Sequence, residues 1–598
     1  MSASIPIRIN RKRILQFLLP LLVWILLATI GGGLLNRFES RDLFLFTPEF
    51  LKDMLAVPGG FLAYIAAFLT QFLHYRWAGA LLLVILYTII VKTGKKAYNI
   101  SDGHFATSLI PAALLLAALM HTGYMVFKLK YHSPAFTPAL GALAVTLTVL
   151  VTSKSLKRGK EHIWITVWTL VSYPLFGFWG LIGSISSLIS VIRQKKMSNV
   201  RTSFAVLAII VAITLIPLVC HFVYGISRTA SCWFAMFPIF PKGSGFTYIL
   251  PYILLAVWYI TAPLITIRCQ KIAAASLAIS VALLWCKDSC LNAELEMAAA
   301  IENDDWERIV RIHRNTTRII WNEPTRLMVM YKDLALFKLK REGDEAYTLR
   351  CGNREQRSAI KIPLTIQAGK QFYLHYGLPN FCYRWCIETY AETGWSYSNL
   401  KYAASSSLLA GNSSTAVKYC MILKKTLFYR KWADRQLQIA LNPEMIYESE
   451  EYRSIIPMLC KEDWLDNDMS QLEEFLQGLF VDRIPENAQP DYWRAALFHA
   501  ANGCDIDTFW NFYEKYIQSN RFDRLPAHYQ EAVLLFAGIS RGVNISKIPV
   551  DSSVRASYAA YCKFIEQHPD ISQASDEFRL YFGRTYYYYW NTFANLNQ

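Results

Sequence analysis

The sequence predicts an all-α protein in two parts: a polytopic helical membrane domain of about nine spans over 1–287, then a helical-repeat soluble domain. Three observations predict this. Charge is divided unevenly, with 26 Lys and Arg against 6 Asp and Glu in 1–287, and 35 against 39 in the remaining 311 residues. Apolar runs of bilayer length crowd the first part and raise the hydrophobic fraction of the whole chain to 54%. From about Leu291 onward, apolar residues recur at helical spacing, as in Asp305-Trp306-Glu307-Arg308-Ile309-Val310-Arg311-Ile312.

The first apolar run, 14–35, follows Arg8, Arg11, Lys12 and Arg13. Its 22 residues exceed a signal-peptide core and fit a span, so it reads as an uncleaved anchor with a cytoplasmic N-terminus. Further full-length candidates are 105–127, 134–152, 202–224 and 246–267, with shorter ones at 77–91 and 272–287. The run 162–192 is broken at Tyr173-Pro174-Leu175-Phe176-Gly177 and reads as a helical hairpin. Segment 59–74 has only 16 residues and either crosses the membrane or lies on its surface. Basic residues decide between these. With 59–74 on the outer surface and 162–192 as a hairpin, inner loops hold 17 basic residues and outer loops 8, whereas the other arrangement gives 13 and 12. The biased arrangement places a long first external loop at 36–76 and the C-terminal half outside the cytoplasm.

That external loop concentrates the acidic residues. Four of the six in 1–287 fall there: Glu39, Asp42, Glu49 and Asp53. Glu49 and Asp53 flank Lys52 in a stretch that reads as an amphipathic surface helix, which leaves Glu39 and Asp42 as the candidate catalytic pair. A purely structural role would instead pair them with Arg37 and Arg41 at the headgroup level. The net charge of +16 belongs to the membrane half, in short runs between apolar spans, so it orients the protein and does not indicate nucleic-acid binding. Twelve cysteines are too dilute for a disulfide framework, and the i,i+4 pairs Cys286/Cys290 and Cys382/Cys386 suit neither zinc-ribbon nor Cys-x-x-Cys spacing.

In the second part, Gly343, Gly377 and Gly411 stand 34 residues apart, each closing one apolar helical run and opening another. Tyr376-Gly377-Leu378-Pro379-Asn380-Phe381-Cys382-Tyr383 compares with Ala410-Gly411-Asn412-Ser413-Ser414-Thr415-Ala416-Val417-Lys418-Tyr419. This period resembles the tetratricopeptide repeat, which implies an α-solenoid over 288–430 with a protein partner in its groove; 431–598 continues as helices. A strand-like alternation occurs only around 360–366. Aromatic residues such as Tyr383, Trp385, Tyr390, Trp395, Tyr397 and the run Tyr586-Tyr587-Tyr588-Tyr589-Trp590 sit at helical spacing and read as core.

Several enzyme classes are excluded by missing motifs. The chain has no Gly-x-x-x-x-Gly-Lys-Ser/Thr loop, no His-Glu-x-x-His, no Gly-x-Ser-x-Gly and no Gly-x-Gly-x-x-Gly, and its spans carry almost no carboxylates for ion coupling. An external carboxylate pair beside a membrane, followed by surface helices, more spans and a same-side helical domain, resembles the GT-C superfamily of membrane glycosyltransferases. That resemblance implies transfer of a sugar or related group from a polyprenyl-phosphate carrier. Glu39 or Asp42 would be the base, Arg76, Lys128, Lys130, His132 and Arg228 would meet the lipid phosphate, His121 and His221 would assist, and a divalent metal could join them. The alternative is a non-enzymatic membrane-anchored platform for protein partners in the cell envelope. Pro58-Gly59-Gly60-Phe61-Leu62-Ala63-Tyr64, Phe68-Leu69-Thr70-Gln71-Phe72 and Phe428-Tyr429-Arg430-Lys431-Trp432-Ala433 resemble an uncharacterised family of bacterial multi-pass membrane proteins with helical-repeat tails, which implies the inner membrane as location and brings no activity.

Overall fold

The computed structural model describes residues 11–101, 105–155, 161–193, 199–225, 234–264, 288–319, 323–460, 471–482, 484–485, 488–520, 524–540 and 548–594. These residues form helices and turns with no strand, and one isolated bridge joins Thr325 to Arg354. The alternation at 360–366 is therefore not a strand. Ile362 is buried among residues of the membrane half, and the chain then winds into a π-helical turn at Thr365–Gly369.

Among the described residues, two helices are long and apolar enough to cross a bilayer: Arg76–Ala97 and Thr137–Lys154. A third arises if α1 (Arg11–Thr29) and α2 (Gly32–Arg41) count as one span across a 67° bend. This corrects the expectation of about nine. Hydropathy registers apolar length, but helix breakers shorten the elements. The run 105–127 yields the 12-residue helix Ile110–His121 and a buried 3-10 turn, Gly123–Phe127. The run 246–267 yields Leu250–Thr261 and the 3-10 turn Ala262–Leu264. Twelve helical residues reach about 18 Å, well short of the roughly 30 Å hydrocarbon core. In the run 202–224, helix Asn199–Tyr224 contains Pro217, and its described apolar stretch is Thr214–Val223. The 77–91 candidate is longer than hydropathy suggested, a 22-residue helix ending in Lys95 and Lys96. Candidate 272–287 lies outside the described residues.

The hairpin at 162–192 is present as Glu161–Phe176 and Phe178–Arg193, turning at Gly177 with φ +59°. Two breaks in the sequence meet there. Gly59, at φ +79°, donates its N–H to the Pro174 carbonyl at 2.8 Å, and a Cβ on Gly59 would lie 3.1 Å from the Gly177 nitrogen. The junction fixes α4 (Gly60–Thr70), which buries Leu62, Ala63, Ala66 and Ala67 and packs against Thr137–Ser155 and Glu161–Phe176. Its 11 residues are too few to span. Before it, α3 (Pro48–Leu55) has no buried residue and starts where the Thr47 hydroxyl accepts the Phe50 N–H. This is the amphipathic surface helix expected around Lys52.

In the second half, several helix starts are set by side-chain caps. Asp288 caps Ser289–Ile301, Thr325 caps Arg326–Lys338 and Ser396 caps Tyr397–Leu409. Pro379–Thr393, Tyr397–Leu409, Ser413–Leu423 and Arg430–Leu441 follow one another, each packed on the next. The C-terminal aromatic run is core: Tyr586, Tyr587 and Tyr589 are buried, and the Tyr586 and Tyr589 hydroxyls donate to the Ala501 and Asn502 carbonyls, both at 2.8 Å.

The three periodic glycines have unequal roles. Gly377 and Gly411 end helices in the left-handed region, at φ +77° and +78°, whereas Gly343 lies in the short helix Glu342–Glu345 and faces Pro526. A Cβ at Gly377 would fall 2.1 Å from the Met458 carbonyl oxygen, while nothing lies within 4 Å at Gly411. Gly411→Ala should therefore cost only the conformational term of about 1 kcal/mol. Gly377→Ala should cost more than about 3 kcal/mol, because backbone must move. Denaturation midpoints of the two purified full-length variants check this ordering.

Candidate functional site

Helix α2 carries the candidate carboxylates, and its small residues determine where they go. A Cβ on Gly33 would lie 3.0 Å from Leu295 Cβ, so only glycine lets α2 approach Ser289–Ile301 this closely. The approach places Glu296 between Arg76, at 3.0 Å, and Arg308, at 2.5 Å. The helix thus leaves α1 at a sharp angle and lies between the membrane half and the helical half.

At the far end of α2, Glu39 and Asp42 are each only 4% exposed. The Tyr429 hydroxyl donates to Glu39, 3.0 and 3.1 Å from its two oxygens, and His74 Nδ1 lies 3.5 Å from Oε1. His74 stacks on Phe428, with ring centroids 5.0 Å apart. Burial pushes the Glu39 carboxyl above its usual range, opposed by His74 and Tyr429. Asp42 Oδ2 accepts the Ser133 N–H at 2.8 Å, and Oδ1 is 3.7 Å from His132 Nδ1. The pairing with Arg37 and Arg41 does not occur. Arg37 instead lies over the Phe127 ring at 4.6 Å, and Arg41 donates to the Val126 and Leu129 carbonyls.

After α2 the chain runs extended over 42–46 as a strap shared by both halves. The Tyr397 N–H donates to the Asp42 carbonyl at 3.0 Å, the Phe44 N–H to the Tyr397 hydroxyl at 3.0 Å, and the Phe46 N–H to the Lys425 carbonyl at 3.1 Å. Leu43 packs against Leu400, Ala404 and Leu423 of the helical half, while Phe44 turns the other way onto Phe50, Tyr64 and Phe68. The space beside α2, lined by Arg37, Ser40, Arg41, Lys370 and Asn399, measures about 20 Å³, room for a water but not a sugar.

Two of the expected phosphate-binding cations are engaged across the same boundary. Arg76 pairs with Glu296, Lys128 with Glu392 at 3.0 Å, and His132 faces Asp42. Lys130 is exposed, and Arg228 lies outside the described residues. His121 packs on Tyr248, with centroids 4.7 Å apart, and His221 on Phe222, at 5.4 Å. Neither is among the described partners of Glu39 or Asp42. Among the described residues, no three or more His, Cys, Asp or Glu side chains are grouped to hold a metal ion. Cys290, Cys382 and Cys386 are buried free thiols, and Cys286 lies outside the described residues.

A second site lies in the helical half, and motif reading did not reveal it. A cavity of about 900 Å³ opens between Trp306, Lys401 and Trp432 and the segment Glu448-Ser449-Glu450-Glu451. That size is within the range of ligand pockets. Its floor is a hydrogen-bonded network. Trp432 Nε1 and Gln436 Nε2 donate to Glu451, at 3.2 and 2.8 Å, and the Tyr452 hydroxyl donates to Gln436 Oε1 at 2.8 Å. Lys401 donates to Glu302 Oε2 at 3.1 Å and lies over the Trp432 ring. The only sequence signal was the run of carboxylates at 448–451, and the partners that complete the cavity are distant in the chain.

The family of unknown function DUF6057 matches residues 7–592, from the start of the membrane half to the last helix. The chain belongs to the DUF6057 family. No curated protein and no solved structure matches it. Both sites of this DUF6057 member use the phrase Phe428-Tyr429-Arg430-Lys431-Trp432-Ala433: Phe428 and Tyr429 enclose Glu39, and Trp432 lines the cavity.

Two outcomes are expected from the boundary. Glu39→Gln and Tyr429→Phe, singly and together, should show a coupling of about 1–3 kcal/mol in denaturation midpoints. Glu294, on the helix that α2 packs against, is held by burial at about 8, with the Thr325 hydroxyl donating to it. Between roughly 4.5 and 8 the unfolded chain therefore releases a proton that the folded chain keeps, so this group lowers stability as pH rises. Glu294→Gln should flatten that slope, measured as midpoints at pH 5, 6.5 and 8.

Proposed function

We propose that the chain is a membrane-anchored helical-repeat receptor of the cell envelope, whose membrane half fixes the helical half at the bilayer surface and whose cavity receives a partner. The observation that carries this reading is the contrast between an open 900 Å³ cavity with aromatic and charged walls and a carboxylate pair that is 4% exposed and already bonded to the Tyr429 hydroxyl and the Ser133 N–H. A transferase acting through Glu39 or Asp42 needs an acceptor and a carrier within reach of those oxygens.

The orientation we infer does not depend on the number of spans. Arg8, before α1, and Arg11, Lys12 and Arg13, in its first turn, favour a cytoplasmic N-terminus in the bacterial inner membrane. Helix α2 and the strap leave the opposite end of α1 and bind the helical half directly, which supports a location of that half outside the cytoplasm.

Complementation of a deletion strain separates the two activities. Trp432→Ala should abolish function at unchanged protein level, and Glu39→Gln should retain it. Loss with Glu39→Gln and retention with Trp432→Ala would favour the transferase.

A further inference from the structure

Three features of the 900 Å³ cavity indicate what it takes. The first is charge. Five carboxylates line it, Glu302, Asp304, Glu448, Glu450 and Glu451, against Lys401 and Arg435. Lys401 is committed to Glu302, and Glu451 to Trp432 and Gln436. Asp304, Glu448 and Glu450 are exposed at the lip, where Arg435 is the second cation of the lining and where Lys401 and Lys338 lie near enough to act on Asp304. Asp304 is fixed there by a left-handed turn at φ +52°, whose N–H donates to the Ile301 carbonyl at 3.0 Å. Partial burial and the nearby Glu451 push its carboxyl up to about 6, against the opposing pull of Lys401 and Lys338.

The second feature is an unused polar atom. His375 lines the cavity, is 4% exposed, and has no partner for Nδ1. Its ring lies edge-on to Trp306 at 5.0 Å, and its carbonyl is taken by Lys338 Nζ at 2.9 Å. Burial keeps this imidazole neutral, so Nδ1 can pair with a peptide N–H or carbonyl. The third feature is the pair of half-buried indoles, Trp306 and Trp432, which offer apolar faces between the acidic lip and the imidazole.

Resting on the receptor reading above, we propose that the cavity binds a basic peptide segment, with a Lys or Arg side chain at Asp304, Glu448 and Glu450 and its neighbouring backbone and apolar residue at His375, Trp306 and Trp432. Helical repeats commonly take such extended segments in their grooves, and the helical half as a whole is net acidic, with 35 basic against 39 acidic residues. A neutral glycan would use the indoles but add no positive charge to a lining of five carboxylates and two cations.

The test uses the full-length protein in detergent and fluorescently labelled peptides Gly-Lys-Leu-Lys-Gly, Gly-Gln-Leu-Gln-Gly and Gly-Glu-Leu-Glu-Gly, read by polarisation. The Lys peptide should bind about tenfold or more tightly than the Gln peptide, and the Glu peptide weakest. Asp304→Asn with Glu448→Gln, both exposed, should weaken the Lys peptide about tenfold, while Asp576→Asn with Glu577→Gln, exposed on another helix, should not. Equal binding of the three peptides, no binding of any, or equal loss with the two double variants would overturn the proposal. Binding of the Gln peptide or of chitotetraose that Trp432→Ala abolishes, without Lys preference, would overturn the basic class and leave the receptor reading standing.

Discussion

Residues 32–46 must satisfy two packing surfaces at once, and the remainder of the molecule is arranged around that demand. Gly32 and Gly33 bring α2 onto the Ser289–Ile301 helix, and Glu39 and Asp42 then fall where Tyr429, His74 and Ser133 can satisfy them. Beyond α2, the strap lends its backbone to Tyr397 and Lys425 and alternates its side chains between the two halves. A charged helix next to a membrane is costly unless its charges are paired or hydrogen-bonded, and here the helical half supplies much of that compensation. Neither half is self-sufficient at this boundary.

On the proposed receptor reading, this arrangement separates anchoring from recognition. Beside α2, Glu39, Asp42 and Arg41 are hydrogen-bonded and Arg37 Nε is not, whereas the cavity beside Trp432 exposes three lip carboxylates and buries one imidazole nitrogen without a hydrogen-bond partner. The two regions are joined through Phe428-Tyr429-Arg430-Lys431-Trp432, whose first two residues hold the boundary and whose last faces the cavity. An occupant of the cavity would therefore sit one helical turn from the contact between Tyr429 and Glu39.

The amphipathic helix at Lys52, the hairpin broken at Gly177 and the core role of the C-terminal tyrosines were legible in the sequence, because each depends on residues close in the chain. The number of spans was not. Apolar composition does not report whether a run such as 105–127 folds as one long helix or as a short helix and a buried turn, since tertiary packing decides it. The 34-residue glycine period was half structural: Gly377 and Gly411 end helices, but Gly343 packs on Pro526, and the irregular segment before Thr365 breaks the register. Glu39 and Asp42 stand out in the sequence, yet Tyr429, which donates to Glu39, lies 390 residues away and Ser133, whose N–H donates to Asp42, lies 91 residues away, beyond the reach of local pattern.

Amide hydrogen exchange of the full-length protein tests the shared strap most directly, because the N–H groups of Phe44, Phe46 and Tyr397 bond across the boundary and not within a helix. The expected result is strong protection of all three, lost together when Tyr397→Phe removes the acceptor for Phe44. Exchange of the Phe44 and Phe46 amides at the rate of an exposed loop would contradict the account.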